Sequence, residues 1–346
     1  MRYNFKKFKG VKMNILITGG AGYIGSHVLK QLLEGSKHDI CVIDNLYSGK
    51  IEAIETLQKI RKFEFFKIAL EDSTELARLF GARKFDAIIH FAAFIEVAES
   101  VEKPLKYYLN NTANTAKLAE LATKNGVKYF IFSSTAATYG EPKSGIVSEE
   151  SEQKPINPYG ASKLMSERII KDACAASRIK DDKNGMKYGI LRYFNVAGAD
   201  GLIGQNYPNA THLIKVVCEC ICGKREQISI FGSDYASKDG TCERDYIHVL
   251  DLASAHLAVL EYLAKNDSEI FNVGYGKGFS VKEVIECARR VSGVDFKAVM
   301  SQRRQGDPAV LISNANKIRS KTSWKPAHES LEEIISSALA WEKKLK

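Results

Sequence analysis

The sequence predicts an α/β fold, namely a doubly wound parallel sheet with a second, smaller domain of mixed α/β structure. Two observations carry this prediction. Short apolar runs alternate with segments of helical apolar spacing through the first 194 residues, and such alternation favours right-handed crossovers between parallel strands. A glycine-rich turn also follows the first apolar run, at the place where sheets of this type bind ligands.

The first domain is predicted over residues 13–194. Buried parallel strands are short apolar runs, whereas helices repeat their apolar residues every three or four positions. By these criteria the strands are residues 13–18, 40–44, 63–70, 87–91, 127–132 and 188–192. The helices between them include residues 23–34, 112–124 and 159–176.

After about residue 194 the alternation becomes irregular. Loops rich in Gly, Asn and Pro at 198–210 and 232–243 separate predicted helices at 211–222, 251–264, 280–292 and 331–345. We therefore expect a smaller substrate-binding domain over residues 195–346, partly interleaved with the first.

Composition and charge limit the class of protein. The chain has 346 residues, 45% hydrophobic and 26% charged, which is ordinary for a globular protein with a core. Residues 1–12 carry five cations and no acid, so the net charge of +9 falls to +4 (9 − 5) without them. We expect this basic leader to be disordered. The remaining charge suits an anionic small molecule and gives little reason to expect a nucleic-acid partner.

The sequence also favours the cytoplasm. It has no apolar stretch long enough to span a bilayer and no signal-peptide pattern, so no membrane partner is expected. Seven irregularly spaced cysteines indicate free thiols in a reducing compartment. Cys218, Cys220 and Cys222 alternate along a predicted helix, so they cannot chelate one metal; we read them as packing residues and expect no metal.

The turn at residues 18–25 reads Thr-Gly-Gly-Ala-Gly-Tyr-Ile-Gly. Its glycines at 19, 22 and 25 allow a tight turn, a close approach to a pyrophosphate and close packing of helix on sheet. The following helix N-terminus favours anions. Asp44 stands at the tip of the second strand, where a carboxylate binds the adenosine ribose and repels a 2′-phosphate. This Rossmann pattern favours NAD over NADP, although a purely structural glycine turn is the alternative.

Tyr159 and Lys163 lie four residues apart on a predicted helix and so share one face. A phenol with a pKa of about 10 is a poor base at neutral pH, but a neighbouring cation lowers that value. Thr135 and Ser133 end a strand at the ligand crevice, where a hydroxyl can bridge a substrate oxygen and Tyr159. Alone, the pair could be an ordinary surface pair and the hydroxyls strand-end caps.

Taken in order, these segments resemble the extended short-chain dehydrogenase/reductase family, and most closely its UDP-glucose (UDP-galactose) 4-epimerases. The resemblance also covers residues 90–93, 103–111, 132–140, 158–165, 191–195, 239–249 and 303–307. It implies an NAD-dependent isomerase of carbohydrate (galactose) metabolism, commonly a homodimer, that inverts C4 of a UDP-sugar through a 4-keto intermediate. Tyr159 would be the base, Lys163 would lower its pKa and bind the nicotinamide ribose, and Thr135 would relay the proton.

The resemblance also implies the contacts of both ligands. Residues implied to bind NAD are Gly19, Gly22, Tyr23, Ile24, Gly25, Asp44, Asn45, Phe91, Ala92, Ala93, Asn110, Ser133, Lys163 and Tyr193. Besides Thr135 and Tyr159, residues implied to bind the UDP-sugar are Asn195, His212, Leu213, Phe231, Arg244, Arg303, Asp307 and Leu311. Asn195 and the guanidinium groups of Arg244 and Arg303 would hold the diphosphate, Asp307 the uridine ribose, and Phe231 the uracil.

Some positions depart from the best-known epimerases. Leu70 stands where a Gly-Asp pair usually binds adenine, which leaves Glu71 or Asp72 as candidates. Ile95 replaces a lysine found in some members, and His212 an asparagine; a capping or loop histidine is the plain alternative. Leu311 replaces a tyrosine of narrow-specificity members, which predicts room for an N-acetyl group, unless it is simply a core residue.

Three other functions are alternatives on the same scaffold or fold. Dehydratases and decarboxylases of this scaffold place an acid after the strand-end hydroxyl, whereas Ala136 and Ala137 follow Thr135 here. A net 4-ketoreductase that exchanges NADPH is disfavoured by Asp44. A regulator that only binds nucleotides is disfavoured because the threonine, tyrosine and lysine are all present.

Overall fold

The computed structural model describes residues 11–182, 184–207, 210–304 and 306–345. The predicted leader therefore lies outside the described residues except for its last two. Of these, Lys12 forms an ion pair with Asp39 (Nζ–Oδ2 2.7 Å) beside the first two strands.

The described residues form 14 strands. In chain order these are β1 (Asn14–Thr18), β2 (Asp39–Ile43), β3 (Glu64–Phe66), β4 (Ala87–His90), β5 (Tyr129–Thr135), β6 (Ile146–Val147), β7 (Lys187–Tyr193), β8 (Asn195–Ala197), β9 (Gln227–Phe231), β10 (Glu243–His248), β11 (Glu269–Val273), β12 (Gly278–Ser280), β13 (Lys297–Ser301) and β14 (Val310–Ser313).

The same residues form 12 α-helices. These are α1 (Tyr23–Gly35), α2 (Ile51–Gln58), α3 (Ser73–Ala82), α4 (Val97–Glu102), α5 (Pro104–Tyr107), α6 (Asn114–Lys124), α7 (Pro158–Lys180), α8 (Leu213–Ile221), α9 (Val249–Leu263), α10 (Val281–Ser292), α11 (Asn316–Lys321) and α12 (Leu331–Glu342). A π-helical segment, Tyr108–Ala113, joins α5 to α6, and a 3₁₀ turn, Ala136–Tyr139, follows β5.

The main sheet has seven strands in the order β11-β7-β5-β4-β1-β2-β3, all of them parallel. Both of its faces are buried, which is why its strands are almost wholly apolar. Ile15 and Ile17 of β1 pack in one cluster with residues of α1 and α9, whereas Leu16 points to a second cluster with residues of α3, α6 and α7. The predicted doubly wound sheet is confirmed.

The smaller part of the fold is built on a second sheet, in which β12, β10, β14 and β6 are neighbours and β8 also pairs with β10. One strand crosses the predicted boundary at residue 194 in each direction. β6 comes from the first part of the chain but pairs with β14, and β11 comes from the second part but completes the main sheet beside β7. Strands β6 and β11 therefore each pair within the sheet formed mainly by the other part of the chain.

Two details differ from the sequence prediction. The strand expected over 63–70 is confined to Glu64–Phe66, because the chain turns towards α3 after it. Strand β6 and the strands after residue 194, β8 to β14, were not located by the sequence prediction. Among the described helices, none combines the length and the apolar character needed to cross a bilayer.

Candidate active site

A large cavity lies at the carboxyl ends of β1, β2, β4, β5 and β7 and extends to β10 and β14 of the second sheet. Its volume is about 1510 Å³, above the roughly 300–1,000 Å³ usual for a pocket that holds one small molecule. All the predicted site residues except Arg303 line it. The cavity therefore has room for two ligands end to end.

The glycine turn forms one wall of the cavity. Gly19 has a φ of +73°, and a Cβ atom there would lie 2.6 Å from the backbone nitrogen of Ala92. A Cβ atom at Gly25 would overlap the carbonyl oxygen of Gly19. No side chain caps α1, since Gly22 precedes it, so the first N–H groups of the helix stay open to an anion. This cradle fits a dinucleotide pyrophosphate.

Asp44 is fixed at the tip of β2. Its Oδ2 accepts a hydrogen bond from the Ala21 backbone N–H (3.0 Å) and its Oδ1 accepts one from Leu46 (2.8 Å). The carboxylate is only 7% exposed, and this burial raises its pKa above the ordinary value. Leu46 has a φ of +62°, so the backbone bends sharply to keep Asp44 in place.

The structure distinguishes between the two candidates for the adenine contact, Glu71 and Asp72. Asp72 caps α3, because its Oδ1 accepts the backbone N–H groups of Thr74 (3.1 Å) and Glu75 (3.0 Å). Glu71 lines the cavity instead. Of the two carboxylates, only Glu71 is therefore placed to meet a ligand.

Helix α7 carries the tyrosine and lysine pair into the middle of the cavity. Asn157 caps it by accepting the Gly160 N–H at 2.8 Å, and Pro158 occupies its first position. A Cβ atom at Gly160 would lie 2.5 Å from the Ala137 carbonyl oxygen, so only glycine lets α7 pack so closely on the 3₁₀ turn. This contact places Tyr159 beside Thr135.

The phenol of Tyr159 is hydrogen-bonded to Thr135, which lowers its pKa, but burial outweighs this and raises the pKa to about 12. The charge of Glu96 acts in the same direction as burial. The expectation that Lys163 brings this pKa below its ordinary value is therefore wrong for the chain by itself. Burial dominates because the phenolate would sit in a poorly solvated site.

Lys163 lies behind the tyrosine. Its ammonium donates a hydrogen bond to the Ser133 carbonyl (2.8 Å) and lies 4.8 Å from the centre of the Phe132 ring. Burial lowers the Lys163 pKa to about 7, and the charge of Glu167 opposes this shift. The hydroxyl of Ser133 is hydrogen-bonded to Tyr193, whose own pKa is raised by burial.

The opposite end of the cavity is cationic. Arg244 in β10 lies opposite Leu311 in β14, and its guanidinium contacts the Asp307 carboxylate at 3.1 Å. Arg304 also lines the cavity, with its guanidinium 3.8 Å from the centre of the Phe231 ring. Two arginines and an aromatic ring thus form a site suited to a nucleoside diphosphate.

Sequence comparison agrees with this geometry. Residues 15–274 match the NAD dependent epimerase/dehydratase family. The chain belongs to that family.

Relatives of known activity span nearly the whole chain. UDP-glucose 4-epimerase of Azospirillum brasilense is 46% identical over 334 residues, which cover 96% of this chain and 92% of the relative. The solved UDP-Glc/GlcNAc 4-epimerase from Campylobacter jejuni is 58% identical, with a TM-score of 0.83 and coverage of 96% and 99%. UDP-glucose 4-epimerase from Bifidobacterium longum, solved with NAD⁺ and UDP, is 34% identical with a TM-score of 0.89 and coverage of 96% and 98%.

One residue assigned from the resemblance is misplaced. Arg303 does not line the cavity; it is exposed, pairs with Asp234 (Nε–Oδ1 2.7 Å) and stacks on Tyr235 with 4.2 Å between guanidinium and ring centre. Its neighbour Arg304 faces the site instead. The sequence offers two adjacent arginines, and only the direction of the backbone after β13 separates them.

The sequence did not assign a role to Asn111. Its amide accepts the Phe94 N–H (2.8 Å) and donates to the Phe94 carbonyl (3.0 Å), and it also donates to Ser162 of α7 (3.1 Å). These contacts hold the loop after β4 against α7. Asn111 lies in the π-helical turn, and such turns within helices are often found at functional sites. An Asn-Asn pair before a helix was the only signal.

Two residues identified as departures from the best-known epimerases, Leu311 and His212, line the cavity. Leu311 is 8% exposed and packs with Ala136, Tyr139 and Phe194 while lining the cavity. It is therefore both a core residue and a wall of the site. His212 precedes α8 without capping it through its side chain, and its Nδ1 lies 3.2 Å from the Gln205 amide nitrogen.

Proposed function

We propose that the protein interconverts UDP-galactose and UDP-glucose by inverting C4, with NAD bound throughout. The observation that carries the proposal is the order of groups in one cavity. The glycine turn and Asp44 stand at one end, Thr135 and Tyr159 in the middle, and Arg244 at the other. A dinucleotide and a nucleotide sugar that enter from opposite ends would meet at Tyr159.

Each of these side chains has its own role in the proposed reaction. Tyr159 would take the proton of the sugar 4-hydroxyl and later return it, with Thr135 as its hydrogen-bonded relay. Lys163 would hold the nicotinamide ribose and supply positive charge near the phenol. Bound NAD would supply a reversible acceptor for the C4 hydride, with no net change in its own oxidation state. Gly19, Gly25 and Asp44 would hold the dinucleotide.

The substrate end would hold the UDP group. Arg244 and Arg304, rather than Arg303, would clamp the diphosphate together with Asn195. Phe231 would pack on the uracil and Asp307 would bind the uridine ribose. In the chain alone Arg244 pairs with Asp307 and Arg304 covers Phe231, so these four side chains would exchange partners when the nucleotide binds.

Elimination chemistry is disfavoured by the same cavity. Dehydration of a 4-keto sugar needs an acid or base beside the neighbouring carbon. The residues next to the Thr135 relay in the cavity wall are Ala136 and Ala137, neither of which can transfer a proton.

The sugar range would include N-acetyl hexoses, UDP-GalNAc and UDP-GlcNAc. Leu311 is shorter than tyrosine and lies beside Arg244 across the β10–β14 ladder, close to the diphosphate site. A side chain shorter than tyrosine would leave space for a substituent on the sugar. The likeness to the C. jejuni UDP-Glc/GlcNAc 4-epimerase supports this range.

The assembly is proposed to be a cytoplasmic homodimer. Leu105 and Leu109, at α5 and the π-helical turn, are 71% and 68% exposed, and Met165 of α7 is 48% exposed. These apolar side chains lie in the segments near 105–122 and 160–176, which the resemblance implies to form the helix bundle of a dimer. All seven cysteines are free thiols, as suits a reducing compartment.

The test is to incubate purified protein with UDP-galactose and, separately, with UDP-GalNAc, without added NAD. We expect both sugars to be converted to their C4 epimers by cofactor that copurifies. Added UDP-sugar should also produce NADH-like fluorescence when the bound NAD is trapped in its reduced form. Conversion of neither sugar would overturn the proposed function.

A further inference from the structure

A buried ion pair lies behind the candidate catalytic residues. Arg192 of β7 is 1% exposed and Glu167 of α7 is fully buried. The guanidinium holds the carboxylate with two hydrogen bonds, Nε to Oε1 at 2.9 Å and a terminal nitrogen to Oε2 at 2.6 Å. A bidentate pair in this setting fixes α7 to β7 in one register.

The pair is also connected to the strand and turn that carry Thr135. Ser134 donates a hydrogen bond to Oε1 of Glu167 at 2.5 Å. The Arg192 guanidinium donates to the Tyr139 hydroxyl (3.1 Å), which in turn donates to Asn272 of β11 (2.6 Å). Ser134 lies between Ser133 and Thr135, and Tyr139 ends the 3₁₀ turn that begins after Thr135. The network therefore contacts the strand and the turn that position Thr135, Tyr159 and Lys163.

Glu167 stands one helical turn beyond Lys163 on the same face of α7. In the described part of the chain, two titratable groups interact electrostatically with the Lys163 ammonium, Glu167 on α7 and His90 on β4. Arg192 on β7 pairs with Glu167, and Tyr193 on β7 is hydrogen-bonded to Ser133. His90 is neutral at physiological pH, since burial lowers its pKa to about 3. Glu167 is then the group in this set that brings a negative charge to Lys163.

Stability alone does not explain a buried pair of this kind. Removing two charges from water is costly, and well-packed apolar residues often stabilise a fold as much. A carboxylate next to a buried ammonium has a second effect, because it favours the charged form of that ammonium.

We infer that Glu167, held by Arg192 and Ser134, is a positioning residue that keeps the Lys163 side chain charged and directed at the Ser133 carbonyl. This inference rests on the proposed epimerase function for its kinetic consequence only. Loss of the Glu167 charge would let Lys163 lose its proton at lower pH, and the phenol of Tyr159 would then lose the cation beside it.

The kinetic experiment compares Glu167→Gln with Asp172→Asn. Both remove one carboxylate from α7, but Asp172 is exposed and pairs with Arg168 at the helix surface. For Glu167→Gln we expect the descending, alkaline limb of the kcat–pH profile to move down by about one pH unit or more, with little change in KM. For Asp172→Asn we expect the parent profile.

A second readout does not depend on turnover. The ¹³Cε resonance of Lys163, assigned with a Lys163→Arg variant, should titrate at lower pH in Glu167→Gln than in the parent. If the parent protein proved inactive on UDP-sugars, the proposed function would fail while this titration would still test the inference.

The double variant Glu167→Gln/Arg192→Met removes both charges and so leaves no unpaired buried ion, in case the single variant fails to fold. It should shift the Lys163 resonance in the same direction but by less, because loss of the Arg192 cation partly offsets loss of the carboxylate. A folded Glu167→Gln variant whose Lys163 titrates as in the parent would overturn the inference. So would failure of both variants to fold, since the pair would then serve the fold alone.

Discussion

At the scale of single residues, the adjacent arginines Arg303 and Arg304 allow a controlled comparison of two variants. Arg304 lines the cavity against Phe231, whereas Arg303 pairs with Asp234 outside it. A lost charge-assisted hydrogen bond to a diphosphate costs about 1.5–3 kcal/mol, or about 10- to 150-fold in affinity. We expect Arg304→Leu to raise KM for UDP-galactose by that factor and Arg303→Leu to leave it near the parent value. Equal effects in steady-state kinetics would contradict the assignment.

A substitution at Leu311 tests which UDP-sugars the protein accepts. Because Leu311 is 8% exposed and packs against Phe194, a larger side chain at this position must project into the cavity. Excess volume in a packed site costs about 1–3 kcal/mol, which is about 5- to 150-fold in rate. In Leu311→Tyr we expect kcat/KM for UDP-GalNAc to fall about tenfold relative to UDP-galactose.

The control for that change is Leu311→Met, which conserves volume and should keep the parent ratio of the two sugars. The ratio is measured in competition, with both UDP-sugars in one reaction. An unchanged ratio in Leu311→Tyr would remove Leu311 from the specificity argument.

At the scale of elements, the turn between β1 and α1 depends on glycine for space. A side chain at Gly25 would overlap the Gly19 carbonyl and push the helix N-terminus away from the pyrophosphate site. We expect Gly25→Ala to fold but to purify without NAD, as measured by the nucleotide released on denaturation. Gly81→Ala is the control, since nothing lies within 4 Å of a Cβ atom there. Equal retention of NAD by both variants would contradict the role of Gly25 in NAD binding.

The local sequence pattern predicted the strands of the main sheet that come from the first part of the chain. Strands β1, β2, β4, β5 and β7 are apolar runs, and the helices between them have clear apolar spacing. Strand β11 escaped prediction because its role is set by a distant partner: Glu269 lies opposite Gly189 of β7. Arg303 was misassigned for a related reason, since a sequence does not show which of two neighbouring side chains faces a cavity.

The pKa of Tyr159 shows where sequence reasoning about chemistry stops. The spacing of the tyrosine and lysine was enough to identify the pair. It was not enough to give the sign of the pKa shift, because burial outweighs the hydrogen bond from Thr135 and depends on the whole cavity. Proximity can be predicted from periodicity, whereas solvation requires the packed structure.

At the scale of the molecule, the two parts of the chain share one core. The cluster on the α1 side of the main sheet also contains residues of α8, α10 and α12, among them Val217, Ile285 and Ile334. Together with the pairing of strands β6 and β11, this continuity predicts one cooperative unfolding transition rather than two.

Three of the buried histidines, His90, His248 and His256, should make that transition sensitive to acid. Burial lowers the pKa of His90 and of His248 to about 3 and that of His256 to about 4. The unfolded chain has histidines with a pKa of about 6.5, so below that pH the unfolded state binds protons that the folded state excludes. Stability is therefore fully present above about pH 6.5 and falls as the pH drops towards 4. Each such histidine contributes about 1.4 kcal/mol per pH unit once both pKa values bracket the pH.

The measurement is the free energy of unfolding by urea at several pH values between 7.5 and 5. Carboxylates with lowered pKa, such as Asp267 at about 2, lose their contribution only below about pH 4 and so do not interfere. His256 packs against Phe91 and Tyr193, so His256→Phe removes one titrating group while keeping an aromatic ring. We expect its stability to fall less steeply with acid, by about 1.4 kcal/mol per pH unit. A slope equal to that of the parent would mean that His256 does not exclude its proton in the folded state.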